Sequence, residues 1–100
     1  MARPETDTEE RTDTREALAP QWKVLLLNDD TTTMEFVIHV LVTLFKKERQ
    51  EATRLMLEVH HTGSALITVT TLERAELYVE QVRSLARARK FPLVATMEPA

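Results

Sequence analysis

The sequence predicts a compact α/β sandwich, a three-stranded antiparallel sheet covered by three helices in the order β-α-α-β-α-β. Apolar or alternating runs of strand length occupy residues 22–27, 65–69 and 93–97. Between them lie two successive stretches, then a third, whose apolar residues recur at helical spacing. Strands this few and helices this grouped do not make a doubly wound sheet. One Gly and 4 Pro in 100 residues leave little of the body for irregular structure.

The first strand, WKVLLL, reads as covered on at least one face and stops at Asn28-Asp29-Asp30, residues that favour turns because their side chains bond nearby backbone. Thr32 and Glu35 have the spacing of a capping box and set the start of a helix with Met34, Val37, Ile38, Leu41, Leu44 and Phe45 on one face. Lys46-Lys47-Glu48 interrupts it. A second helix carries Ala52, Leu55, Met56 and Val59, and Gly63 stands where a left-handed cap ends it. After the second strand, Thr70 and Glu73 repeat the capping spacing and open a third helix through Leu72, Ala75, Val79, Val82 and Ala86. Phe91-Pro92 breaks it before the last strand.

The net charge of −3 is unevenly placed. Six of the 16 acids but only three of the 13 bases precede Pro20, so the body from Gln21 onward holds ten of each. Residues 1–19 offer almost nothing to bury and read as a disordered N-terminal extension, with the folded domain spanning 20–100. A neutral body lacks the basic footprint of a nucleic-acid binder. The run Arg83, Arg87, Arg89 and Lys90 reads as a solvated helix end, where cations suit the negative pole of the dipole. No stretch approaches the ~18 apolar residues of a membrane span, and the first residues lack the apolar centre of a secretory signal. Cys is absent, which fits a reducing compartment. A cytoplasmic protein without membrane or nucleic-acid partners is the expectation.

Catalytic chemistry finds no support. There is no cysteine nucleophile, no G-x-S-x-G, no H-E-x-x-H and too little glycine for a phosphate loop. His60 and His61 are adjacent and diverge, and His39 is on another element, so no histidine pair grips a metal from one helix face. The expectation is a binding protein, not an enzyme, with no metal or cofactor. The informative cluster is the acidic turn 28–30 beside Met34, Val37, Met56, Val59 and His60. An acidic rim next to a pocket lined by adaptable methionines suits an ammonium group attached to a large apolar side chain.

Three segments, KVLLLNDD at 23–30, TTMEFV at 32–37 and ATRLMLEVH at 52–60, together with Gly63, Ala75-Glu76 and Pro92-Leu93, resemble the ClpS family. ClpS proteins are the N-degron adaptors of the AAA+ protease ClpA–ClpP, and the likeness runs from about Trp22 to the end of the chain. It implies that Asn28, Asp29 and His60 bind the free α-amino group of a substrate, with Asp30 and Thr32 at the pocket mouth. It implies that Met34, Val37, Met56, Val59 and Leu93 form the pocket for Leu, Phe, Tyr or Trp, with Met34 gating out β-branched side chains. It further implies that Glu73, Glu76 and Tyr78 lie on the surface docking the N-terminal domain of a ClpA-type unfoldase. The N-terminal extension would serve delivery, and the protein would work as a monomer. The sequence departs from the family at Tyr78 (usually Lys), Thr33 (usually Pro), and Thr31 and His61 (often aromatic). A module that docks on an unfoldase and modulates it without capturing N-degrons is the alternative.

Overall fold

The computed structural model describes residues 19–100. The expected N-terminal extension lies outside them, apart from Ala19. Strand β1 (Gln21–Leu27) is followed by helices α1 (Met34–Thr43) and α2 (Arg49–Thr62), strand β2 (Ser64–Thr71), helix α3 (Leu72–Ala88) and strand β3 (Val94–Pro99). The sheet order is β2-β1-β3, with β1 antiparallel to both neighbours. The anticipated fold class and element order are those observed.

Alternation along β1 decides which face of the sheet is covered. Val24 and Leu26 are fully buried, and they join one core with Ala65, Ile67 and Ala95 of the flanking strands. Onto that face pack Phe36, Val37, Val40 and Leu41 of α1, Ala52, Leu55, Met56 and Val59 of α2, and Ala75, Val82 and Ala86 of α3. Each large side chain so buried contributes on the order of 1.5–3 kcal/mol. The helices therefore cover one face only, and Leu66 and Val94 stay exposed on the other. Between Val24 and Leu25 the β1–β2 register shifts, because Val24 pairs with Thr68 but Leu25 with Leu66. The bulge it creates leaves Ile67 free to turn into the core.

Both capping threonines fall one residue later than the capping-box spacing suggests. Thr33, not Thr32, caps α1 by accepting the Phe36 N–H, and Thr71, not Thr70, caps α3 by accepting the Arg74 N–H. At α1 the competing partner is visible: the Thr32 hydroxyl is committed to Asp29. Gly63 does end α2, with φ 94°, and its N–H returns to the Val59 carbonyl. Leu72 and Met34, expected on apolar faces, are exposed at the first positions of their helices.

Candidate functional site

The sheet brings the end of β1 against the end of α2. Leu27 pairs with Ser64, the first residue of β2, and the Asn28 N–H donates to the Gly63 carbonyl at 2.9 Å. The turn after β1 is thereby fixed beside the last turn of α2, which carries His60. Asp29 then shapes the turn. Its Oδ1 accepts the Thr31 and Thr32 amides at 2.8 and 2.6 Å, and its Oδ2 accepts the Thr32 hydroxyl at 2.7 Å. Partial burial pushes the Asp29 carboxyl up, but the Thr32 amide, the Thr32 hydroxyl and the Thr31 amide together hold it below the usual carboxylate range.

A cavity of about 410 Å³ opens between this turn, the start of α1 and the end of α2. Its floor is apolar and buried, formed by Val37, Met56 and Val59. Met34 stands at the rim, 44% exposed, outside the core cluster. Asn28, Asp29, Asp30, Thr32 and His60 complete the wall. Among the described residues the side chains of Asn28, Asp30 and His60 have no hydrogen-bond partner, and all three residues are exposed. The His60 ring lies edge-on to His61, centroids 5.2 Å apart. Two carboxylates and the negative pole of α2 give the rim a cation-seeking character. An ammonium offers three donors and no acceptor, which such a rim satisfies, while an attached apolar group reaches the floor.

Ten of the eleven described residues lining this cavity come from the segments 28–34 and 56–60, and Val37 is the other. Of the residues expected at the pocket, all but Leu93 line it. Leu93 is 5% exposed and lines a separate cavity between α3 and β3. Glu73 and Glu76 are exposed on α3, whereas Tyr78 is half-buried and stacks on Phe45 with centroids 4.5 Å apart. Thr31 and Thr33, which the sequence marks only as departures from the family, also line the cavity, and Leu77, which no motif marks, is 55% exposed beside Glu73 and Glu76. Leu77 was detectable in principle, because it falls off the stripe of Ala75, Val79 and Val82. Among the described residues no group of three or more His, Asp or Glu side chains can hold a metal ion.

The model of the family described as "ATP-dependent Clp protease adaptor protein ClpS" matches residues 17–96. The chain belongs to the ClpS family. It is 47% identical over 78 residues to the ClpS of Acetivibrio thermocellus, covering 78% of this chain and 79% of that one. With the ClpS of Salmonella arizonae it shares 49% over 90 residues, covering 88% and 85%. Among solved structures, Agrobacterium tumefaciens ClpS2 bound to L-phenylalaninamide superposes with a TM-score of 0.79 at 37% identity, covering 81% of this chain and 98% of that one. The chain is thus a ClpS-type adaptor of the ATP-dependent Clp protease, and ClpS proteins are adaptors rather than catalysts. Among the described residues no helix is long and apolar enough to cross a membrane.

Proposed function

We propose that the cavity captures the free α-amino group and bulky apolar first side chain of N-degron proteins, and that the chain delivers them to a ClpA–ClpP-type machine. The observation that carries this reading is the joining, in one cavity, of unpartnered acceptors on Asn28, Asp30 and His60 with a buried floor of Val37, Met56 and Val59. The relative crystallised with L-phenylalaninamide supports it, since that ligand unites a free α-amine with a benzyl side chain.

The hydrogen bonds divide the labour between the two acids. Asp29 fixes the loop through Thr31 and Thr32, and its Oδ2, which accepts only the Thr32 hydroxyl, keeps a lone pair to join Asn28 and His60 at the ammonium, with the unpartnered Asp30 adding charge at the pocket mouth. Burial of a Leu or Phe side chain supplies about 1.5–3 kcal/mol, and the charged amine restricts binding to chain termini. Met34 at the rim gates out β-branched side chains, whose second branch crowds the backbone. Glu73, Glu76 and Tyr78 form the face offered to the unfoldase N-terminal domain, with the exposed Leu77 one turn beyond Glu73.

A fluorescence-anisotropy titration tests the reading with two peptides that differ only at the amino terminus. The peptide beginning with free Leu binds, and its acetylated twin binds at least about tenfold more weakly. Equal affinity for both defeats N-degron capture and leaves a module that docks without cargo.

A further inference from the structure

Of the four basic residues closing α3, Arg83 and Arg87 do more than decorate a solvated helix end. They stand one turn apart on the wall of a cavity of about 230 Å³ between α3 and the start of β3. Val79, Ala86, Phe91 and Leu93 supply its apolar lining, whereas Arg89 and Lys90 take no part in it. Arg83 pairs with Glu80 at 3.1 Å in an exposed contact, and Arg87 has no ionic partner among the described residues.

Two features of the fold select what fits. Among the described residues β3 is an edge strand, paired only with β1, and its outer backbone groups face away from the sheet, where a further strand can add. The groove beside it is blind at one end, because residues 89–93 connect α3 directly to β3 there. An extended peptide lying along β3 must therefore stop at that end. Its last group meets two guanidiniums, the donors best matched to a carboxylate.

We propose that this groove binds the carboxy terminus of a partner protein, adding it as an antiparallel strand to β3. The terminal carboxylate rests on Arg83 and Arg87, and an aliphatic last side chain enters the cavity over Leu93 and Phe91. A terminus suits the site better than an internal acid, because its carboxylate and side chain share one Cα and the chain ends where the groove does. Strand addition with capture of a terminal carboxylate is an established recognition mode. Among the described residues the site shares no lining residue with the cavity at α1 and α2.

The test uses the full chain and pools of hexapeptides labelled with fluorescein at the amino terminus, so that none presents a free amine. The last residue is Leu, Val or Ile, and the other positions are mixed. The free-acid pool binds at least ten times more tightly than the same pool amidated, and the Arg83→Gln/Arg87→Gln double variant loses the difference with its thermal midpoint unchanged. Amide resonances of residues 94–98 shift on adding the free-acid pool. Equal binding of acid and amide pools overturns the proposal, as does binding indifferent to the double variant. An amidated pool with an internal Asp that binds as tightly as the free acid overturns it in favour of acidic segments, and shifts confined to α3 overturn the strand addition.

Discussion

The Asp29 carboxylate accepts three hydrogen bonds from its own loop, so its charge is tied to the shape of the cavity wall. Its pKa in the folded chain lies below that of the unfolded chain, near ~3.9. Its contribution is therefore complete above about pH 5 and is lost as pH falls through the depressed folded value. Asp29→Asn should cost on the order of 1–2 kcal/mol at pH 7, since hydrogen bonds to charged groups are the stronger ones. Urea midpoints of the two proteins should converge as pH falls below about 4, and a gap that stays constant down to pH 2 would remove the carboxylate from this role. The sequence exposed the three acceptor types at 28–30, but which of two adjacent acids turns inward depends on a local contest for Thr31 and Thr32. A similar contrast separates two methionines that look alike in the sequence. Met34→Ala should cost under ~1 kcal/mol and admit Ile or Val at the substrate terminus, because Met34 is 44% exposed at the rim. Met56→Ala, at 6% exposure, should cost about 2–5 kcal/mol by leaving a hole in the core. If Met34→Ala destabilises as much as Met56→Ala, the gate assignment fails.

At the scale of elements, order and type were legible because the apolar period changes cleanly from strand to helix at each junction. Helix starts were less so. Residues 31–33 are all threonine, and Thr70 and Thr71 are neighbours, so several hydroxyls compete for each cap and only the tertiary partners decide. Thr33→Ala and Thr71→Ala should each cost about 1 kcal/mol, whereas Thr70→Ala should leave the helix α3 cap untouched. Equal losses at Thr70 and Thr71 in thermal melts would contradict the observed caps. The end of α2 was readable because one glycine had one plausible use. An added Cβ at Gly63 meets nothing within 4 Å, so the strain of Gly63→Ala is that of the left-handed backbone alone, about 1–2 kcal/mol. Gly63→Asn should cost less, since asparagine tolerates that conformation. Both variants bear on binding as well, because the Gly63 carbonyl receives the Asn28 amide and keeps the acidic turn beside His60.

On the scale of the whole molecule, the sequence could not show how α3 and β3 share out the residues near the chain's end. Leu93 follows Phe91-Pro92 and reads as one more pocket residue; it stands just before Val94, which pairs with Leu27 at the acidic turn's end of β1, yet its buried side chain lines the cavity between α3 and β3. Nor could it show that the three helices all pack on one sheet face, since β1 is apolar at Leu25 and Leu27 as well as at Val24 and Leu26. The division between capture and delivery is the largest feature that the sequence does suggest. Every described residue lining the candidate cavity lies between Asn28 and His60, and β1 is held from Gln21 by pairing to Thr71 and by the Ala100 amide. Deleting residues 2–17 should therefore change peptide affinity by less than about twofold, because all the described cavity and core side chains remain. Those residues carry the chain's whole acidic excess and contain no apolar anchor. Degradation of a substrate beginning with Leu by a ClpA–ClpP-type machine should nevertheless slow sharply after the same deletion. An unrelated polar sequence of equal length should restore most of the rate if delivery depends on length rather than on a motif. Loss of peptide binding on truncation would place the extension in the cavity, and undiminished degradation would mean that cargo passes to the protease through the body of the adaptor alone.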